Sequence, residues 1–128
     1  MGGMVAALLS LRVILGEDDP GLGELFTDAL SREGYDVEIC TDVKTSLARV
    51  AADPPSILVL DSALPPSGGL ALVERLRKKG RLVFTVLLAS APDERLRKAC
   101  LALPRVEYLA KPFSIQELLQ ALSRFGAL

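Results

Sequence analysis

Short apolar runs alternate with segments of helical periodicity five times along the chain, and this alternation is the strongest constraint on its fold. Apolar runs occupy residues 13–16, 57–60 and 82–89, whereas apolar residues in the segments between them recur every three or four positions. Successive strand–helix units predict an α/β fold of three layers, with helices on both faces of a parallel sheet. Right-handed crossovers make such a sheet doubly wound, and its ligands bind at the carboxyl ends of the strands.

Local signals mark where several helices begin and end. Asp19 followed by Pro20 predicts a helix start, because the carboxylate can accept backbone hydrogen bonds and Pro lacks the N–H group that would stay unpaired. Gly34 predicts the end of that helix. Ser114 and Glu117 form a capping box, which predicts the start of the last helix.

Length and composition limit the classes of function. The 128 residues predict one domain at 12–128, preceded by a native N-terminal extension or cloning remnant at 1–11. That N-terminal stretch is too short and lacks the basic leader for a membrane span or signal peptide, so we expect a cytoplasmic protein with no membrane partner. The net charge of −1 does not favour nucleic-acid binding. Histidine is absent, which excludes His-based zinc sites and His-assisted nucleophiles, and Cys40 and Cys100 are expected to be free thiols.

Side chains that can carry chemistry follow four of the five predicted strands. Glu17 and Asp18 follow the first strand, Asp61 ends the third, Ser90 follows the fourth and Lys111 follows the fifth. The carboxyl ends of parallel strands lie at one edge of the sheet. We therefore expect three carboxylates, a hydroxyl group and an ammonium group in one crevice.

This set of groups predicts a cation site that handles phosphoryl groups. Three converging carboxylates repel one another unless a cation lies between them, and an all-oxygen ligand set suits Mg²⁺, with Mn²⁺ as a substitute. Such a site favours transfer of a phosphoryl group to a carboxylate nucleophile, here Asp61. Ser90 would donate a hydrogen bond to one phosphoryl oxygen and Lys111 would form an ion pair with another, so that catalysis is mainly electrostatic.

Three segments, in this order and at these spacings, resemble the receiver domains of two-component response regulators. They are GEDDP at 16–20, LVLDSALPPSGG at 58–69 and YLAKPF at 108–113. The resemblance covers nearly the whole chain. It implies a flavodoxin-like fold, in which a five-stranded parallel sheet has the strand order 2-1-3-4-5.

The resemblance also implies the roles of the site residues. Asp61 would accept a phosphoryl group from a phosphohistidine on a partner histidine kinase or phosphotransfer protein. Glu17 and Asp18 would bind Mg²⁺ together with Asp61 and the backbone carbonyl of Ala63, and Lys111 would pair with the phosphate. The domain would catalyse its own phosphorylation and dephosphorylation, with no turnover of an external substrate.

A conformational switch is the third implication of the resemblance. Ser90 stands where the family has a switch Thr or Ser, and Tyr108 stands at the switch aromatic, whose rotamer follows the hydroxyl residue. Phosphorylation would then change the surface formed by the fourth helix, the fifth strand and the fifth helix, to which a downstream effector, or a second copy in a homodimer, would bind.

The chain departs from the family pattern in three places, and three alternative functions are open. PPSGG at 65–69 is unusual in the phosphoacceptor loop. Pro104 and Arg105 stand where the family usually has Gly-Ala, and Gly16 is expected to leave the first strand thinly packed. An aspartyl phosphatase would need a second carboxylate where the chain has Ala63. A module that binds flavin phosphate would be disfavoured by the carboxylates of Glu17 and Asp18. A receiver-like interaction module that works without phosphorylation is the third alternative.

Overall fold

The computed structural model of the protein describes residues 11–126, which form five strands and five helices in strict alternation. The strands are β1 (Arg12–Gly16), β2 (Asp36–Cys40), β3 (Ile57–Asp61), β4 (Phe84–Ala89) and β5 (Val106–Ala110). The helices are α1 (Pro20–Arg32), α2 (Val43–Ala52), α3 (Gly69–Lys78), α4 (Glu94–Leu101) and α5 (Ile115–Gly126). All neighbouring strands are parallel, in the order β2-β1-β3-β4-β5. The predicted fold and strand order are confirmed, and the extension predicted at 1–11 lies outside the described residues, apart from Leu11.

The sheet is the middle layer of the three. Helices α1 and α5 pack on one face through Phe26, Leu30, Leu118 and Leu122. Helices α2, α3 and α4 cover the other face. All five residues of β3 are buried, as expected for a central parallel strand covered on both sides.

Capping residues begin the helices where the sequence predicts. The Asp19 Oδ1 atom accepts hydrogen bonds from the N–H groups of Gly21 (2.9 Å) and Leu22 (3.3 Å) at the start of α1. At the start of α5, the Ser114 hydroxyl accepts from the Glu117 N–H, and a Glu117 carboxylate oxygen accepts from the Ser114 N–H, both at 3.1 Å. These caps satisfy backbone donors that have no partner inside the helix.

The end of β1 is closely packed, so the expected thin packing at Gly16 is wrong. A Cβ atom on Gly16 would lie 2.8 Å from Leu60 Cδ2 and 2.9 Å from Leu64 Cδ2. The two leucine side chains fill the space next to the glycine, and any larger residue would have to displace them.

Two glycines let the chain pass close to β3 on its way into α3. A Cβ atom on Gly69 would lie 2.7 Å from the Asp61 carbonyl oxygen and 2.8 Å from Leu87 Cδ1. Gly68 has a φ of 90°, a conformation that L-residues other than glycine rarely adopt. The loop after Asp61 is therefore held against the end of β3.

The Pro104–Arg105 segment, which departs from the family pattern, precedes β5. Arg105 has a φ of 63°, in the left-handed region that favours glycine. Its guanidinium carbon lies 5.0 Å from the centroid of the Phe84 ring. Arg77, in α3, donates a hydrogen bond to the Pro104 carbonyl. The segment is thus attached to both α3 and β4.

Candidate functional site

Three carboxylates meet at the carboxyl edge of the sheet. One oxygen from each of Glu17, Asp18 and Asp61 lies within 4.8 Å of the others. The β1–β3 register pairs Gly16 with Leu60, so the residues that follow each of them are neighbours. Glu17 and Asp61 are buried and Asp18 is exposed. We call these three residues the acid cluster, and one side of it faces solvent.

Asp61 is the last residue of β3 and is fixed by its own loop. Its Oδ1 atom accepts a hydrogen bond of 2.9 Å from the N–H of Ala63. In the sheet, Asp61 is the register partner of Leu88 in β4. Only 7% of the residue is exposed. The carboxylate that ends this apolar strand therefore lies at the rim of the core, beside two other acids.

The surroundings of Glu17 shift its pKa strongly. Burial, a hydrogen bond with Asp61 and repulsion from the Asp61 charge raise its pKa from 4.5 to about 8, against the opposing effect of Lys111. The Glu17 Oε2 atom accepts a hydrogen bond of 3.1 Å from the Asp18 N–H. Its Oε1 atom is buried and has no hydrogen-bond partner among residues 11–126. Such an orphaned oxygen inside a group of acids is what a hard divalent cation would satisfy.

Lys111 brings the positive charge of the site. It follows β5, and its N–H donates a hydrogen bond of 3.0 Å to the Ala89 carbonyl, which anchors the loop to β4. Its ammonium group is close enough to lower the pKa of Glu17. The lysine and the acid cluster therefore belong to one electrostatic site.

Ser90 and Tyr108, the predicted switch residues, occupy different surroundings. Ser90 is exposed just after β4, where it lines a cleft of about 440 Å³ together with Ser62. Tyr108 is half-buried, and its hydroxyl accepts a hydrogen bond of 2.8 Å from the N–H of Asp93. Asp93 in turn caps α4 by accepting from the Leu96 N–H. Tyr108 is thus connected to the start of α4, a contact that sequence reasoning missed.

A groove beside the acid cluster was also missed. It has a volume of about 820 Å³ and lies between α1 and β2. Leu25 and Ile39, which are 52% and 42% exposed, form its apolar floor. Asp18, Asp19 and Asp28 line it as well. Leu25 lies outside the buried stripe of α1, and an unpartnered leucine there is the one sequence signal that could have indicated this α1–β2 groove.

A second groove lies on the opposite side of the molecule. It has a volume of about 450 Å³ and is formed by α4, β5 and α5. Its lining includes Tyr108, the exposed Leu101 and the ion pair between Glu107 and Arg124. We call it the α4–β5–α5 groove.

Within residues 11–126, no helix is long and apolar enough to cross a bilayer.

Comparisons with known proteins identify the family of the domain. The model of the response regulator receiver domain matches residues 13–123. The transcriptional regulatory protein TrcR of Mycobacterium tuberculosis is 35% identical over 112 residues, which are 88% of this chain and 44% of that protein. The response regulator MprA of Mycobacterium bovis is 34% identical over 111 residues, which are 87% of this chain and 48% of that protein. The chain therefore spans less than half the length of these relatives.

The fold agrees with solved structures as well. The receiver domain of the Francisella response regulator 1452 superposes with a TM-score of 0.84, covering 92% of this chain and 98% of that one at 23% identity. The family model matches most of the chain, and two regulators have sequence identities of 35% and 34% to it. These matches establish the family. The chain belongs to the response regulator receiver domain family, whose members act in two-component signalling.

Proposed function

We propose that this receiver domain accepts a phosphoryl group on Asp61 in a reaction that requires Mg²⁺, and that the modification changes an interaction surface. The single observation that carries the proposal is the acid cluster, in which a buried Glu17 oxygen without a partner lies beside Asp61. A bound cation would coordinate that oxygen and reduce the repulsion among the three acids, in competition with the proton that Glu17 otherwise holds.

The donor set fits Mg²⁺, and Mn²⁺ would fit as a substitute. Glu17, Asp18 and Asp61 would supply carboxylate oxygens, and Ala63 would supply its backbone carbonyl. Bound Mg²⁺ would supply positive charge that stabilises the phosphoryl oxygens and keeps the neighbouring carboxylates ionised.

The transfer step needs a nucleophile and positive charge, and no general base. The N–P bond of a donor phosphohistidine breaks as an O–P bond forms to a carboxylate oxygen of Asp61. The bonding electron pair stays with the imidazole, which leaves as a neutral group because its other ring nitrogen already carries a proton. Lys111 would form an ion pair with one phosphoryl oxygen, and Ser90 would donate a hydrogen bond to another. The donor would be a histidine kinase or a phosphotransfer protein in the cytoplasm.

The α1–β2 groove is the surface that we assign to the phosphodonor. It adjoins the acid cluster and has the apolar floor of Leu25 and Ile39, so a protein seated there would bring its phosphohistidine to Asp61. Its acidic rim favours a donor surface that carries cations around an apolar contact.

The effector would use the α4–β5–α5 groove. Charge added at Asp61 would draw Ser90 and Lys111 towards the phosphoryl group, and the space near Ser90 would become available to Tyr108. Rotation of Tyr108 would break its hydrogen bond to Asp93 and release the start of α4. A downstream effector, or a second copy of this domain, would recognise the changed groove.

One alternative function is supported by a specific observation. Pro104 and Arg105 are attached to α3 and β4, which favours a rigid module that binds its partner without being phosphorylated.

One experiment distinguishes the two functions. The protein is incubated with a small phosphodonor, such as acetyl phosphate, and Mg²⁺, and its intact mass is measured.

We expect a mass gain of one phosphoryl group that requires Mg²⁺ and that is absent in Asp61→Asn. The matched control is Asp93→Asn, which changes a carboxylate at the same edge outside the acid cluster. No gain in the unmodified protein, although Mg²⁺ binds, would contradict the proposal and favour the alternative module.

A further inference from the structure

Five cations gather at the amino edge of the sheet, at the opposite end of the strands from Asp61. They are Arg77, Lys78, Lys79, Arg81 and Arg105, and we call them the basic edge. They make up a third of the 15 basic residues of a chain whose net charge is −1. The rest of the chain is accordingly acidic, so this edge is a local feature that the overall charge conceals.

Contacts in the structure bring these residues together. The Arg81 N–H donates a hydrogen bond of 2.9 Å to the Leu76 carbonyl, which closes the end of α3. The Arg105 carbonyl accepts a hydrogen bond of 2.9 Å from the Thr85 N–H at the start of β4. Arg77 donates to the Pro104 carbonyl. The end of α3, the connection to β4 and the residues before β5 therefore form one continuous surface.

The cations of the basic edge form no ion pair within the described part of the chain. There, the ion pairs are made by arginines of other regions, namely Arg12, Arg32, Arg49, Arg97 and Arg124. Lys78, Lys79 and Arg81 are exposed. Cations in the last turn of α3 stabilise the partial negative charge of the helix end, but Arg81 and Arg105 lie outside the helix, so this effect does not explain them.

Two further observations indicate that the basic edge binds a partner. Arg105 has a left-handed backbone conformation, which glycine would adopt without strain. The chain nevertheless has an arginine side chain at this position of the surface. Leu82 is 47% exposed and lies next to Arg81. An exposed apolar side chain among unpaired cations is a contact for a partner that offers both carboxylates and an apolar group.

We propose that the basic edge is a docking surface for an acidic protein segment rich in Asp and Glu that carries an apolar side chain to contact Leu82. A nucleic-acid backbone would leave Leu82 unused. An anionic bilayer is disfavoured, because the edge exposes no bulky aromatic anchor: the nearest ring, Phe84, is half-buried beneath Arg105. Since the edge lies away from the acid cluster, such a segment can bind whether or not Asp61 is modified.

The test measures binding of a fluorescein-labelled peptide to the full chain by fluorescence anisotropy. The peptide contains eight Glu and two Leu residues, and its reference has Gln in place of every Glu. The edge variant is Lys78→Glu, Lys79→Glu and Arg81→Glu. The matched control is Arg32→Glu, Lys44→Glu and Arg95→Glu, which makes the same change in net charge on other surfaces. Circular dichroism verifies that each variant is folded.

We expect the acidic peptide to bind with an affinity that falls as salt is added, and the Gln reference to bind far more weakly. Three exposed ion pairs correspond to about a tenfold change in Kd, so the edge variant should lose at least about tenfold and the matched control much less. Equal losses in the two variants, or no binding by the unmodified protein, would overturn the proposal. Tighter binding to phosphatidylglycerol vesicles or to a DNA duplex under the same conditions would overturn the assignment to a protein segment.

Discussion

The Tyr108 hydroxyl accepts a hydrogen bond from the N–H of Asp93, the residue whose carboxylate caps α4. A side chain of β5 is thereby joined to the first turn of the neighbouring helix. The contact links a strand residue three positions before Lys111 to one wall of the α4–β5–α5 groove. Any movement of this ring therefore changes the support of α4 directly.

Removing this hydroxyl tests the link. Tyr108→Phe deletes the acceptor, and since Asp93 is exposed, water can replace it. We expect the free energy of unfolding to fall by about 0.5–1 kcal/mol and amide exchange in the first turn of α4 to accelerate. Urea denaturation and hydrogen exchange measure the two effects. Tyr35→Phe is the control, and unchanged exchange at residues 93–96 in Tyr108→Phe would show that the bond does not support α4.

The proton held by Glu17 predicts how stability depends on pH. The unfolded chain ionises this group near pH 4.5, whereas burial and the neighbouring Asp61 hold its pKa at about 8 in the folded protein. The folded state binds more protons between these values, so the free energy of unfolding should fall as the pH rises from about 4.5 to about 8. The loss is at most about 4–5 kcal/mol.

Thermal denaturation across this pH range measures the effect, with Glu17→Gln as the control that should flatten the profile. A cation competes with the proton for the same oxygens, so added Mg²⁺ should raise the Tm more at pH 8.5 than at pH 6. A profile that rises with pH in the unmodified protein, or an equal gain from Mg²⁺ at both values, would contradict the prediction.

The close packing at the end of β1 predicts that a side chain at position 16 is destabilising. Gly16→Ala places a methyl group against Leu60 and Leu64 and should lower the free energy of unfolding by about 1–3 kcal/mol. Gly23→Ala is the matched control, because its methyl group would lie 3.6 Å from Ile39 Cδ1, an ordinary contact.

In the interior of α1, this control should be neutral or stabilise by up to about 1 kcal/mol. Equilibrium denaturation in urea compares the two variants. Equal effects of the two substitutions would mean that the leucines beside Gly16 move aside without cost.

The backbone at Arg105 predicts an unusual order of stability. Arg105→Ala loses the contact with Phe84 and keeps the left-handed conformation, whereas Arg105→Gly loses the same contact and relieves the conformation. The glycine variant should therefore be more stable than the alanine variant by about 1 kcal/mol. Chemical denaturation decides the order. The reverse order would show that residue 105 leaves this conformation in solution.

Much of the fold could be predicted because its signals are local. Asp19 and Ser114 cap helices through residues two to three positions away, and the uninterrupted apolar run of β3 indicates a strand covered on both faces. The ends of strands were less well predicted. The apolar run at 82–89 begins two residues before β4, since apolarity alone does not distinguish the exposed Leu82 from the buried strand.

The site was predictable where it depends on topology alone. The parallel arrangement of the strands places Glu17, Asp18 and Asp61 at one edge of the sheet, whichever rotamers their side chains adopt. The hydrogen bond between Tyr108 and Asp93 depends on how β5 and the start of α4 pack, a relationship that neither segment's own sequence contains. The close packing of Gly16 likewise depends on the rotamers of two leucines from β3 and its loop.

The acid cluster and the basic edge lie at opposite ends of the same five strands. This separation gives a nearly neutral molecule a permanent electric dipole along its strands. A charged partner would turn the domain as it approaches, before any contact is made, so that a cationic surface meets the end that holds Asp61. A metal ion would reduce the charge of the acidic pole and an added phosphoryl group would increase it, so either would change that orientation and therefore which partner arrives well aligned.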